Sequence, residues 1–230
     1  MNALDRLTAR LDTHGLCLRG GFTPGPVDQL PALPGDASDS SLLLVGNIGS
    51  SLWRFFRQSP EYKDGAAHPL DRWSRRIGDT IAGEFGGIAL YPFNGPPFLP
   101  FLHWINKTEG LQASPLGLSI HPRYGLWHAY RFALLLPFAL KPLTTAEATA
   151  HPCDQCLSKP CLDACPVDAF TGKEYKSDQC IDYLRSNRQS ACMLGSCLAR
   201  RACPVGQGYI YEAEHAQFHM QAFVKAAEIR

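Results

Sequence analysis

Eight of the chain's nine cysteines fall between residues 153 and 203, and two of them are followed directly by proline. The first run reads Cys153-Asp-Gln-Cys156-Leu-Ser-Lys-Pro-Cys161-Leu-Asp-Ala-Cys165-Pro166. After Cys180, the second reads Cys192-Met-Leu-Gly-Ser-Cys197-Leu-Ala-Arg-Arg-Ala-Cys203-Pro204. Thiolates are soft ligands, suited to zinc, copper(I) and iron–sulfur clusters. Four of them hold one cluster, so eight are enough for two. The residue types point to electron-transfer chemistry in the C-terminal quarter of the chain.

A cluster needs thiolates converging on a compact cube, with little main chain between the first three. In the bacterial ferredoxin pattern three cysteines stand two residues apart, and a fourth, three residues later and before proline, ligates the other cluster. Cys153 and Cys156 keep the two-residue gap, Cys161 follows after four, and Cys165-Pro166 after three. In the second half eleven residues separate Cys180 from Cys192, four separate Cys192 from Cys197, and five separate Cys197 from Cys203-Pro204. The crossed pattern assigns Cys153, Cys156, Cys161 and Cys203 to one 4Fe–4S cluster. It assigns Cys165, Cys180, Cys192 and Cys197 to a second.

A pair of zinc sites is the alternative, but zinc ribbons usually use two Cys-x-x-Cys knuckles, and this chain has one. Loss of a ligand through the altered spacing would leave one 4Fe–4S and one 3Fe–4S cluster. Cys17, far from the group, reads as a buried small apolar residue.

The elements that must position these cysteines are drawn from 230 residues, enough for one large domain or two modest ones. Hydrophobic residues make up 45 %, so a real core can form. A net charge of +1 gives no strong field for nucleic acid or an anionic membrane. The longest apolar run, Phe132 to Leu140, is interrupted by Pro137 and far too short to span a bilayer. The first residues lack the basic and apolar regions of a secretory leader, and nine cysteines without one point to metal binding in a reducing cytoplasm.

Leu4, Leu7 and Leu11 predict a helix over residues 2–14, and Gly20 to Gly35 reads as loop. Ser41 to Val45 predicts a strand, with a short helix after it at Leu52-Trp-Arg-Phe-Phe. Ser50 or Ser51 is the expected cap of that helix. The Gly46-to-Ser51 loop lacks the Lys-Ser/Thr ending of a P-loop. His68-Pro-Leu-Asp71 opens a helix with Trp73, Ile77, Ile81 and Phe85 on one face. Strands are expected within Phe85–Tyr91, Leu116–Ile120 and Tyr130–Leu136, a linker over Pro137–Ala150, and a closing helix from Glu212 to Ile229. Strands and helices alternate in the first part, which gives α/β or α+β.

In the first 150 residues the informative stretch runs from Ser114 to Pro137. It reads as strand, tight turn, strand, with Pro122 and Gly125 bracketing the turn. His121, Arg123, Tyr124 and Trp127 cluster there, an aromatic surface with donors suited to amides or phosphate. The plain alternative is an ordinary hairpin with an aromatic corner.

The run Ile-His-Pro-Arg-Tyr-Gly-x-Trp-x-Ala-x-Arg, ending in Leu-Leu-Pro, resembles the signature of CblC-type cobalamin-processing proteins. Followed by a two-cluster module, with Cys161-Leu-Asp-Ala-Cys165-Pro166 and Cys180-Ile-Asp-Tyr-Leu184, it also resembles epoxyqueuosine reductases and the related reductive dehalogenases. The resemblance is specific over residues 114–137 and 153–204 and weak before residue 70. It implies an α+β, nitroreductase-like cobalamin-binding domain over 1–145, a bacterial-ferredoxin-like iron–sulfur domain over 150–210 and a C-terminal helix over 211–230. It also implies that His121, Arg123, Tyr124, Gly125 and Trp127 line the cobalamin pocket or hold its nucleotide tail, and that Arg131 faces the upper axial side. Leu126 stands where a glycine is common and His128 where an aromatic is common. His128 is then either a new axial ligand or an ordinary core or surface histidine.

Three functions follow. In the first, two 4Fe–4S clusters pass single electrons to a bound corrinoid, in cobalamin reduction or removal of its upper ligand, and the protein is an oxidoreductase. Cobalamin is substrate or resident cofactor. A ferredoxin or flavodoxin reductase system supplies electrons, and a cobalamin-accepting enzyme takes the product. In the second, cobalamin serves reduction of another substrate, as in epoxyqueuosine reduction. In the third, the chain is a non-enzymatic electron carrier. No residue is singled out as catalytic, and neither nucleic acid nor membrane is an expected partner.

Overall fold

The computed structural model describes residues 2–31, 33, 39–140 and 150–227. In chain order the helices are α1 (Ala3–Asp12), α2 (Trp53–Phe56), α3 (Pro60–Lys63), α4 (Pro69–Glu84), α5 (Phe101–Glu109), α6 (Pro160–Asp163), α7 (Ser177–Ser186), α8 (Ala191–Gly195), α9 (Leu198–Arg201) and α10 (Ala213–Ala227). The strands are β1 (Cys17–Phe22), β2 (Ser41–Ile48), β3 (Ile88–Leu90), β4 (Gln112–Ala113), β5 (Ser119–Ile120) and β6 (His128–Leu136). The class is α+β. The chain forms two compact units, one over Met1–Gly110 and Ala129–Ala148, the other over Leu111–His128 and Thr149–Arg230.

The first unit is built on a four-stranded sheet of order β1-β2-β6-β3, with β1 antiparallel to β2 and β3 antiparallel to β6. Leu42 to Val45 and Phe132 to Leu136 are buried without alternation, the mark of strands covered on both faces. α1 starts with a reciprocal cap between Asn2 and Asp5 and buries Leu7 and Leu11. α4 starts at Pro69, whose fixed φ suits a first turn, and buries Leu70, Trp73, Ile77 and Ile81 at helical spacing.

Three differences from the sequence reading stand out here. β1 extends through Gly20 to Phe22, the first residues of the stretch that reads as loop, and a register shift between Leu18 and Gly21 breaks the alternation that marks a strand. α5, behind Pro100, carries the exposed Leu102 beside the buried Phe101 and Trp104, which blurs its apolar face. Ser51 does not cap α2, whose N-cap is Leu52; its hydroxyl donates to the Gly15 carbonyl at 2.6 Å instead. Of the expected linker, residues 141–149 lie outside the described residues.

A charged network is buried in this unit. Arg19 on β1 donates twice to Glu109 on α5, at 2.9 and 2.6 Å, and the Tyr130 hydroxyl on β6 donates to the same carboxylate at 2.7 Å. The Arg19 and Glu109 side chains are 2 % and 5 % exposed. Cys17, beside them, is a half-buried thiol that donates to the Gly46 carbonyl at 3.6 Å.

In the second unit, β4 and β5 form a small hairpin, with Leu116 in the turn between them. α10 runs against α7 and α8, and α6 against α9. Its helices pack on two apolar groups, one around Leu116, Ile120, Leu126, Ala169 and Ala199, the other around Leu184, Met193 and Val224.

Candidate metal centres and the turn packed on them

The short helices of the second unit carry or flank most of the clustered cysteines. Cys161 is buried in the first turn of α6 behind Pro160, Cys180 sits in α7, Cys192 in α8, and Cys197 is the N-cap of α9, while Cys203 lies just past its end. Two cavities result. Cys153, Cys156, Cys161 and Cys203 line one of about 360 Å³, its open mouth included, together with Leu116, Ile120, Leu126 and Pro204. Cys165, Cys180, Cys192 and Cys197 line another of about 300 Å³, together with Phe170, Tyr183, Leu184 and Met220. All eight are free thiols.

The electrostatics divide the cysteines in the same way. Burial pushes the Cys153 thiol up to about 11, helped by repulsion from Cys203, Cys161 and Cys156. Burial also raises Cys161, with Cys203 and Cys156 adding to it. In the other set, burial pushes Cys197 up to about 11 against the backbone N–H groups of Arg200 and Ala199, with Cys192 and Cys180 raising it further. Cys180 is raised by burial, resisted by a hydrogen bond from Tyr175 and reinforced by Cys165 and Cys192. Thiols raised in this way stay protonated until a cation replaces the protons.

Backbone donors are already aimed at these sulfurs. The Ala169 N–H donates to Cys165 Sγ at 3.3 Å. The N–H of Leu198 serves Cys192, and that of Val205 serves Cys203. Such N–H groups stabilise thiolates and tune what the thiolates bind. Among the described residues, no three His, Cys, Asp or Glu side chains close on a point where a single metal ion would sit. Each cavity gathers four soft sulfur donors.

The turn from His121 to Trp127 belongs to this same unit. His121 and Gly125 pair across it, and His121 Nδ1 accepts from the backbone N–H groups of Arg123 and Tyr124 at 3.0 and 3.2 Å. The His121 ring stacks on Tyr124 at 4.1 Å. The Arg123 guanidinium donates through Nε to the Tyr209 hydroxyl at 3.0 Å, and Tyr124 meets the Tyr209 ring edge-on at 5.0 Å. Gly125 is buried against Val205. Trp127 is fully buried, and its indole N–H finds no acceptor among the described residues. His128 is buried too, with Nε2 donating to the Ser119 carbonyl at 3.2 Å. Arg131 lies on β6 in the first unit, where its Nε donates to the Tyr130 carbonyl at 3.2 Å. The structure thus gathers His121, Arg123, Tyr124, Gly125 and Trp127 around one turn, with Arg131 in the other unit.

Arg200 escaped the sequence reading. Its guanidinium carbon sits 4.3 Å from the Trp127 ring centroid and 4.6 Å from that of Tyr211. Its Nε donates to the Leu126 carbonyl at 3.1 Å, and its Nη2 reaches the same oxygen. The one sequence signal is the Arg200-Arg201 pair set between the last two cysteines.

No family model and no curated protein matches this chain. Among solved structures, one similar chain is described as a C. elegans B12-trafficking protein CblC, a human MMACHC homologue, at 14 % identity and a TM-score of 0.54, covering 96 % of this chain and 94 % of that one. Another is an epoxyqueuosine reductase with an epoxyqueuosine-modified tRNA-Tyr stem loop, at 16 % identity and a TM-score of 0.41, covering 77 % of this chain and 51 % of that one. The first likeness shows that this chain has a CblC-like α+β fold.

Proposed function

We propose that the protein is a cobalamin-binding iron–sulfur reductase. Two 4Fe–4S clusters, held by Cys153, Cys156, Cys161 and Cys203 and by Cys165, Cys180, Cys192 and Cys197, would feed electrons to a corrinoid. The observation that carries this reading is the division of eight cysteines between two cavities, four to each. The CblC-like fold supports the corrinoid as ligand, since that structure is described as a B12-trafficking protein.

Bound clusters supply one-electron transfer. The chain's own contribution is to gather eight thiols, to aim backbone N–H groups at their sulfurs and to surround them with apolar side chains that keep water out. The turn from His121 to Trp127 shares the apolar core of the first cavity through Leu126. It presents His121, Arg123 and Tyr124 as the polar groups for a corrinoid, with Gly125 and Trp127 fixing their position. On the first unit, Arg131 is the remaining candidate contact.

The test is anaerobic titration of reconstituted protein with hydroxocobalamin, followed by limiting reductant. The reading expects saturable binding with a shift of the corrinoid bands, and faster corrinoid reduction with wild-type protein than with a Cys180→Ser variant. No binding and no spectral shift would sink it.

A further inference from the structure

We infer that Arg200 is a positioning residue shared by both cysteine sites, a fixed cation that holds the reduction potentials of both clusters up. This rests on the two-cluster reading above. α9 is a single turn that starts directly after Cys197, in the second set, and ends just before Cys203, in the first. Arg200 therefore stands three residues after a cysteine of one set and three residues before a cysteine of the other. Its hydrogen-bond acceptor Leu126 lines the first cavity, and its neighbour Ala199 lines the second.

The cation is held in place and left uncompensated. The guanidinium packs against both the Trp127 and the Tyr211 ring, which meet each other edge-on at 5.4 Å, and its fork is fixed on one carbonyl. Among the described residues no carboxylate pairs with it, whereas the buried Arg19 has Glu109. An unpaired, half-buried guanidinium calls for negative charge nearby. Eight thiolates around two clusters supply it. Adding one electron to either cluster, with no proton, makes the site more negative. The fixed cation stabilises that reduced state more than the oxidised one, and so raises both potentials.

The experiment is an anaerobic redox titration followed by EPR on wild-type, Arg200→Gln and Arg200→Lys proteins, each first assayed for iron. Arg200→Gln with full iron is expected to show both midpoint potentials moved negative. Arg200→Lys keeps a charge but cannot stack flat or fork onto the carbonyl, so it should give a smaller negative shift at both clusters. Should the Gln variant fail to hold iron, the Lys variant decides. Unchanged potentials in an iron-replete variant, or movement of one cluster alone, would overturn the inference. A wild-type protein without about eight irons would remove the two-cluster reading instead, and the iron assay reveals that before any potential is measured.

Discussion

The backbone of Gly125 lies directly on that of Gly206: a Cβ on Gly206 would fall 2.6 Å from the Gly125 nitrogen, and one on Gly125 would fall 2.6 Å from the Val205 carbonyl carbon. Both residues also hold positive φ, 57° and 76°. Gly206 comes three residues after Cys203, so this contact ties the aromatic turn to the segment that carries a cavity-lining thiol. Gly125→Ala and Gly206→Ala should each lose about 1–3 kcal/mol or more of stability. Thermal denaturation checks this; unchanged melting in both variants would show that the turn is not clamped there.

The Arg19–Glu109 pair gives a second expectation, confined to the first unit. Glu109→Gln leaves a buried guanidinium without its counter-charge and should cost about 3–5 kcal/mol. Tyr130→Phe removes the hydrogen bond to the Glu109 carboxylate and the longer one accepted from Arg19 Nη2 at 3.4 Å, and should cost about 1.5–3 kcal/mol. Urea denaturation measures both. A loss in Tyr130→Phe exceeding that in Glu109→Gln would contradict the network as described.

These two relationships also mark the limits of what the sequence discloses. The apolar runs at Leu42–Val45 and Phe132–Leu136, and the spacing of Leu70, Trp73, Ile77 and Ile81, are local patterns, and they identify β2, β6 and α4 directly. Arg200 and Leu126 stand 74 positions apart, and Arg123 and Tyr209 stand 86 apart. Nothing local to either residue announces its partner. The Gly125–Gly206 contact is hidden for the same reason, since glycine carries no pattern of its own. Cysteine spacing is more informative, because a cluster draws most of its ligands from short stretches of chain.

The raised thiols set the pH behaviour. Burial holds Cys153 and Cys197 at about 11, above their ordinary 9.0. The folded apoprotein thus keeps protons that the unfolded chain releases. The stability they contribute is fully present below pH 9.0 and declines as pH rises toward about 11. Cluster-loaded protein has already exchanged those protons for iron, so its decline across the same window should be the smaller of the two, with Cys17, also pushed up to about 11 by burial, contributing equally to both forms. Denaturation midpoints of both forms from about pH 8 to about pH 11 provide the check. A parallel decline in both forms would contradict the assignment of these thiols as ligands.

Iron and acid-labile sulfide per chain, measured after anaerobic reconstitution and removal of unbound metal, test the central claim most directly. The account predicts about eight of each in the wild type, falling toward about four in Cys203→Ser and in Cys180→Ser, one variant for each cavity. Four or fewer irons in the wild type, zinc in place of iron, or undiminished iron in either variant would contradict it.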